Sequence, residues 1–98
     1  MKVYPFIISD RAQAELDLAA KYYESREIGL GARFLRAALR RCNLISTMPY
    51  GFPLWKRSAR IVTVPRFPYA IIYCVGRRAI DIFAVVNTRS DSRNWPRR

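Results

Sequence analysis

The stretch RFPYAIIYCVGRRAIDIFAVV, residues 66–86, decides the fold. Two apolar runs rich in Ile, Val, Tyr and Phe flank a short turn, Gly76-Arg77-Arg78. β-Branched and aromatic residues on both sides of such a turn are typical of a β-hairpin. Because both runs are nearly continuous rather than alternating, we expect the two strands to lie in the middle of a sheet, covered on at least one face.

Two helices are predicted upstream of this hairpin. The first runs from about Arg11 to Arg26 and the second from about Leu30 to Thr47. The short glycine-containing link between them predicts an antiparallel helical hairpin. Each helix has one inner stripe at helical spacing: Ala12, Leu16, Ala19, Ala20 and Tyr23 in the first, and Phe34, Ala38, Cys42 and Ile45 in the second.

Both helices also carry side chains outside these inner stripes. A second apolar stripe on the first helix comprises Ala14, Leu18 and Tyr22. We expect core packing to bury this stripe, with a partner protein as the alternative occupant. A basic outer stripe on the second helix comprises Arg33, Arg36 and Arg40.

The remaining elements complete an α+β domain. Val3–Ile8 is predicted as a first strand that either lies at a sheet edge or begins near Pro5, because Pro5 cannot donate a ladder hydrogen bond. Leu54–Ala59 is predicted as a basic loop and Arg60–Val64 as the strand before the opening hairpin. The expected order is β-α-α-β-β-β, an antiparallel helical hairpin packed on a mostly antiparallel four-stranded sheet. We expect residues 1–98 to form one domain with a basic tail at 87–98.

Composition restricts the partners and the compartment. The chain has 98 residues, of which 51% are hydrophobic, and 18 Lys+Arg against seven Asp+Glu give a net charge of +11. Such a field favours anionic partners, namely nucleic acid, phosphates or an acidic protein. No apolar run is long enough for a membrane span and no signal-peptide pattern precedes Pro5, so we expect a cytoplasmic protein without membrane association. Cys42 and Cys74 are expected to be free thiols.

Several kinds of catalytic site are excluded by residue type. The chain has no histidine, which removes the commonest general acid or base and any conventional Cys/His zinc site. Glycine-rich phosphate loops and paired carboxylates are also missing, so we expect no cofactor and no metal. Arginine, lysine and tyrosine could still serve a ribonuclease, but we expect Tyr69 and Tyr73 to lie in the core.

The chain resembles the ParE/RelE superfamily of bacterial type II toxins, and most closely its ParE-like, plasmid-stabilisation branch. The resemblance extends over almost the whole chain and rests on an ordered set of features rather than one decisive motif. In chain order these are Ala12–Tyr23, Phe34, Pro49-Tyr50-Gly51, Arg60, Phe67-Pro68-Tyr69, Ile72-Tyr73, Ile80–Val86, Arg89, Trp95 and Arg98.

The resemblance implies a toxin neutralised by direct binding of a small acidic, ParD-like antitoxin, in a complex that can assemble into a higher hetero-oligomer. In the ParE branch the expected target is DNA gyrase, so that poisoning blocks replication. In the RelE branch the expected activity is ribosome-dependent mRNA cleavage by an endoribonuclease, which is the alternative. Asn87 stands where ParE-like sequences often have a histidine, and the basic tail after it has no proton-transfer group. We therefore expect a protein-binding inhibitor of gyrase rather than an enzyme, with no catalytic residues.

Two sets of binding residues follow from these expectations. The target-binding set comprises Lys56, Arg57, Arg60, Arg89, Arg93, Trp95, Arg97 and Arg98. The antitoxin-binding set, expected to line a groove along the helical hairpin and the sheet edge, comprises Leu18, Tyr22 and Leu35. An acidic amphipathic partner segment that folds as it binds would cover the apolar groove and neutralise the arginines.

Overall fold

The computed structural model describes residues 3–89 as two helices packed on a five-stranded sheet. The elements in chain order are β1 (Phe6–Ile8), α1 (Asp10–Arg26), α2 (Leu30–Thr47), β2 (Leu54–Lys56), β3 (Ala59–Thr63), β4 (Tyr69–Val75) and β5 (Ile80–Asn87). The strand order is β1-β5-β4-β3-β2, with β1 parallel to β5 and the other neighbours antiparallel. The α+β class and the central place of the β4–β5 hairpin are confirmed, as is the edge position of the first strand.

The predicted count of four strands is wrong, because Leu54–Lys56 forms β2 rather than part of a loop. This short edge strand pairs with β3 through Leu54 opposite Arg60 and Lys56 opposite Ala59, with an irregularity between the two pairs. Its residues alternate between exposed and half-buried, and it is only three residues long. So short a strand does not produce a periodic hydrophobic signal, which is why the sequence pattern indicates a loop.

Local capping explains where the two helices begin. The hydroxyl of Ser9 accepts the backbone N–H of Ala12 at 3.1 Å, so Ser9 is the N-cap of α1. The carboxylate of Glu24 accepts the backbone N–H groups of Gly29 and Gly31 and thereby caps α2 from the end of α1. Gly31 is also a contact point between the helices, since a Cβ added there would lie 2.6 Å from the carbonyl oxygen of Ala20. These contacts hold the helical hairpin closed.

The main core lies between the helices and one face of the sheet. The inner stripes of both helices pack on buried side chains of that face, namely Val62, Val64, Ile71, Tyr73, Ile80, Ile82 and Val85. Ile82 and Val85 share this face although they are three residues apart, because β5 has a bulge. Ile72 pairs with Ala84 and Tyr73 with Ile82, so Phe83 is the extra residue that shifts the alternation.

The second apolar stripe of α1 is not core, and the expectation that core packing buries it is wrong. The side chain of Leu18 is 71% exposed and that of Tyr22 is 51% exposed. Leu35 and Leu39 on α2 are exposed beside it. The apolar width of α1 exceeds what the sheet and one neighbouring helix can cover, so this stripe is available to another molecule.

The expectations for the tyrosine and cysteine side chains are mostly confirmed. Tyr73 is fully buried, as predicted, whereas Tyr69, also expected in the core, is half-buried and packs against the core. Cys42 is buried and Cys74 half-buried, and both are free thiols, as predicted. Neither helix in the described part of the chain has the length and apolar character that a bilayer span requires.

Candidate partner-binding surfaces

A cleft of about 1160 Å³ opens between α2 and the loop that joins β3 to β4. Six arginines line it, and we call it the arginine cleft: Arg33, Arg36, Arg40 and Arg41 from α2, Arg66 from the β3–β4 loop, and Arg89 after β5. Its other lining residues are Tyr22, Tyr23, Leu30, Ala37, Leu44, Pro65, Phe67, Pro68, Tyr69 and Asn87. The cleft therefore joins a basic rim to a largely apolar interior.

An aromatic cluster forms the interior of the cleft. The ring of Tyr23 lies 5.0 Å from that of Phe67 and 6.1 Å from that of Tyr69, centroid to centroid, in edge-to-face geometry. Phe34 is buried beneath them and contacts Phe67 and Tyr69, each at 5.2 Å. Edge-to-face contacts of this kind fix the relative orientation of the rings. The cleft thus has a rigid floor shared by α1, α2 and the β3–β4 loop.

Backbone geometry brings the two basic walls together. On α2, Arg33, Arg36 and Arg40 fall at helical spacing on one side. On the opposite wall, Arg66 has a positive φ of 71°, a conformation that side-chain-bearing residues rarely adopt. The backbone N–H of Thr88 donates to the carbonyl of Pro68 at 2.8 Å, which ties the end of β5 to this loop and positions Arg89.

The positive charge of the cleft is poorly neutralised. Among residues 3–89, Arg33 is the one cleft arginine in an ion pair, and its partner is Glu27. Burial, and then the neighbouring Tyr69 and Tyr22, raise the pKa of the Tyr23 hydroxyl, while Arg89 acts in the opposite direction. The floor tyrosine is therefore neutral at physiological pH. The rim can attract anions and the floor can take apolar groups.

The predicted target-binding residues do not lie together. Lys56 and Arg57 are at the β2–β3 turn, at the opposite end of β3 from the arginine cleft, which includes Arg89. Arg60 is half-buried and donates to the carbonyl oxygens of Phe52 at 2.7 Å and Tyr50 at 3.4 Å. Its guanidinium thus holds the turn after α2. The other predicted members, Arg93, Trp95, Arg97 and Arg98, lie outside the described residues.

The predicted antitoxin-binding residues are divided between two grooves. Leu18 and Leu35 line a shallow groove of about 770 Å³ on the outer face of the helical hairpin, with Ala14 and Ala32 between them. We call it the hairpin groove. Tyr22 instead lines the arginine cleft, and the guanidinium of Arg26 lies 5.2 Å from its ring centroid. The two grooves are lined by different residues of the helical hairpin.

Sequence reasoning missed most of the arginine cleft. The outer stripe on α2 gives Arg33, Arg36 and Arg40, but nothing in their spacing shows what they face. Arg66 belongs to the run Pro65–Pro68, which the sequence assigns partly to a strand. Two prolines within four residues are a signal for a loop, and they could have identified this wall.

Comparison with known proteins agrees with this fold. The family model described as ParE toxin of type II toxin-antitoxin system, parDE, matches residues 6–95. A solved structure described as the chromosomal ParDE TA system from P. aeruginosa superposes with a TM-score of 0.75 at 18% sequence identity, covering 87% of this chain and 96% of that one. At that identity the likeness concerns the fold alone. No curated protein matches the chain significantly.

Proposed function

The chain belongs to the ParE toxin family of type II toxin–antitoxin systems, and from that membership we propose that it inhibits DNA gyrase and is neutralised by an acidic antitoxin. The observation that carries this proposal is the family match, which covers residues 6–95. Because gyrase acts on chromosomal and plasmid DNA, the proposed site of action is the cytoplasm. Both proposed partners, gyrase and the antitoxin, are proteins.

The exposed apolar stripe supports an antitoxin partner. Leu18, Tyr22 and Leu35 are exposed on a helical hairpin whose inner faces are already packed. Leu18 and Leu35 line the hairpin groove and Tyr22 the arginine cleft, and exposed apolar surface of this kind on a small domain is typical of a protein interface. With a net charge of +11, the chain suits an acidic partner. We propose that these three residues contact the antitoxin and that the complex can form a higher hetero-oligomer.

The side-chain chemistry supports protein binding over mRNA cleavage. A general base works best with a pKa near the operating pH. Burial raises the pKa of Tyr73 to about 12, and its hydroxyl already donates to the carbonyl of Pro49 at 2.7 Å. Tyr23 in the cleft is shifted in the same direction. These tyrosines are poor proton acceptors near pH 7, whereas arginines are suited to binding carboxylates.

We further propose that gyrase contacts the predicted target-binding set. Within the described residues this set comprises Lys56, Arg57, Arg60 and Arg89. Lys56 and Arg57 at the β2–β3 turn are exposed, as is Arg89, whereas Arg60 is half-buried. Since Arg60 is engaged by Phe52 and Tyr50, its contribution would be to hold the neighbouring turn in place.

The proposal is tested by inducing the chain in bacterial cells. Incorporation of labelled thymidine should stop before protein synthesis falls, and messages should remain intact by primer extension. Co-expression of the proposed acidic antitoxin should restore growth. New ends in the messages, with replication unaffected, would instead assign the chain to the mRNA-cleaving class.

A further inference from the structure

We propose that the turn after α2 is a contact surface for gyrase, and that the exposed ring of Tyr50 is its anchor. This inference rests on the proposed function and deepens it, because it adds an apolar contact to the basic target-binding set. We call the surface the Tyr50 patch, and it comprises Met48, Tyr50 and Leu54 with the guanidinium of Arg60 beside the ring. The partner that it fits is a folded protein with an apolar pocket bordered by carboxylates.

The Tyr50 patch concentrates exposed apolar side chains in a short part of the chain. Tyr50 is 64% exposed, Leu54 54% and Met48 44%. Removing apolar surface of this kind from water on association is favourable. Tyrosine and arginine are enriched among the residues that dominate binding energy, and methionine is enriched at interfaces generally. The composition of the patch is therefore that of a protein-binding surface.

Arg60 joins the members of the patch. Its guanidinium lies 5.3 Å from the ring centroid of Tyr50. Leu54 is opposite Arg60 in the ladder between β2 and β3, and directly opposite residues place their side chains on the same face of a sheet. Lys56 follows Leu54 on the same short strand. The patch thus adjoins the basic residues already proposed to contact gyrase.

Hydrogen bonds to side chains hold the backbone of this turn. The hydroxyl of Tyr73 donates to the carbonyl of Pro49 at 2.7 Å. The guanidinium of Arg60 donates to the carbonyls of Phe52 at 2.7 Å and Tyr50 at 3.4 Å. A surface that is already ordered loses little conformational entropy when it binds, so more of the contact energy appears as affinity.

The guanidinium of Arg60 also has donors left for a partner. Both carbonyls accept from the same nitrogen, Nη1, and within residues 3–89 Arg60 has no ion-pair partner. Guanidinium carries five N–H donors and binds carboxylates bidentately. Its Nε and Nη2 groups are therefore available to a carboxylate beside the pocket that takes the Tyr50 ring.

The position of the patch separates it from the surfaces that suit the antitoxin. Met48, Tyr50 and Leu54 are not among the described residues that line the hairpin groove or the arginine cleft. A segment that folds as it binds needs a groove in which to bury its apolar face. An exposed ring on a fixed turn suits the reverse arrangement, in which the ring enters a pocket of a folded partner. In the proposed function that partner is gyrase.

The test measures inhibition of plasmid supercoiling by purified gyrase, and binding of each chain to immobilised gyrase. Tyr50→Ala removes the ring, whereas Tyr50→Phe keeps it. Leu54→Gln tests the patch from β2, independently of the turn. Ile28→Ala is the matched control, because Ile28 is an apolar side chain that is 92% exposed in the link between the helices, outside every surface proposed for a partner. Circular dichroism checks that each variant is folded.

Tyr50→Ala should require about 10–50-fold more chain for half-maximal inhibition, and its dissociation constant for gyrase should rise by a similar factor, as expected for an interface anchor. Leu54→Gln should also weaken inhibition, by a smaller factor. Tyr50→Phe and Ile28→Ala should inhibit as the unmodified chain does. An equal loss in Ile28→Ala would overturn the proposal, because any exposed apolar side chain would then serve. If Tyr50→Ala does not fold, Leu54→Gln decides, and full inhibition by that variant would overturn the proposal.

The same assay separates this inference from the proposed function. If the unmodified chain inhibits gyrase and both patch variants inhibit it equally well, the inference fails although the proposed function stands. If the unmodified chain neither binds nor inhibits gyrase, the proposed function fails and this inference fails with it. Weaker binding of Tyr50→Ala to the antitoxin, with inhibition of gyrase intact, would assign the patch to the antitoxin and would likewise overturn the proposal.

Discussion

The carboxylate of Glu15 on α1 accepts the backbone N–H of Val85 on β5 at 2.8 Å, across 70 residues of sequence. Val85 follows the bulge at Phe83, where the ladder between β4 and β5 is irregular. The side chain of a helix thus satisfies a strand donor beside a break in the sheet. This contact joins the helical layer to the central hairpin, and it fixes the half of β5 that leads to Arg89 and the arginine cleft.

Replacing Glu15 should therefore destabilise the domain. Glu15→Leu leaves the N–H of Val85 without its acceptor, which is expected to lower the free energy of unfolding by about 1–3 kcal/mol. Urea unfolding followed by circular dichroism measures this. Arg11→Gln is the control, since Arg11 pairs with the same carboxylate in an exposed i, i+4 contact and should change the stability little. If both variants had the same stability, the Glu15–Val85 hydrogen bond would have no role in the fold.

Tyr73→Phe should show how much the buried hydrogen bond from Tyr73 to Pro49 contributes to the free energy of unfolding. Removing the hydroxyl leaves a buried carbonyl unpaired, at a cost of about 1–3 kcal/mol near neutral pH. Burial raises the pKa of Tyr73 from 10.0 to about 12. The Tyr73 hydroxyl holds its proton more tightly in the folded state than in the unfolded state. The hydroxyl therefore stabilises the fold fully below about pH 10, and this stabilisation is lost as the pH rises towards 12. The difference in unfolding free energy between the two chains should shrink over that range, and a constant difference would contradict this assignment.

The two glycines at the helical hairpin should respond differently to substitution. Gly31→Ala would place a methyl group 2.6 Å from the backbone oxygen of Ala20, so the helices must separate. Gly29→Ala meets open space, but its φ of 87° is strained for alanine, at a cost of about 1 kcal/mol. We expect the melting temperature to fall more for Gly31→Ala than for Gly29→Ala. The reverse order would mean that the helices are less closely packed than the structure indicates.

Arg66→Gly should separate stability from binding in the arginine cleft. Arg66 has a φ of 71°, which glycine adopts without strain, so the fold should be as stable as before or more stable by up to about 1 kcal/mol. Loss of the guanidinium should at the same time weaken binding of an acidic amphipathic peptide. Thermal unfolding measures the stability of the Arg66→Gly chain, and fluorescence anisotropy on the same preparation measures its binding of the peptide. A marked loss of stability would show that the side chain supports the loop rather than the site.

Hydrophobic patterning predicted the architecture because most elements carry a strong local signal. The continuous runs of β4 and β5 and the inner stripe from Phe34 to Ile45 are examples. The edge strand Leu54–Lys56 has no such signal, since its pairing to β3 is a tertiary contact. The sequence places Leu18 both in a stripe expected to be buried and in the antitoxin-binding set, because periodicity shows that a face is apolar but not whether anything covers it.

The candidate site was harder to predict than the fold. The place of Arg89 after the last strand and the basic character of the α2 stripe are both visible in the sequence. That Arg36 and Arg66 line one cleft depends on how α2 packs beside the β3–β4 loop, which no local pattern encodes. Lys56 and Arg57 were grouped with Arg89 by charge alone, and the length of β3 separates them.

The central claim, that this toxin acts by inhibiting gyrase, is tested most directly by the supercoiling of relaxed plasmid by purified gyrase as the chain is titrated in. The account predicts that supercoiling is lost, with cleaved plasmid accumulating, once the chain equals gyrase in molar amount. Mixing the chain beforehand with its antitoxin should prevent this. Full supercoiling at a large molar excess of folded chain would contradict the account.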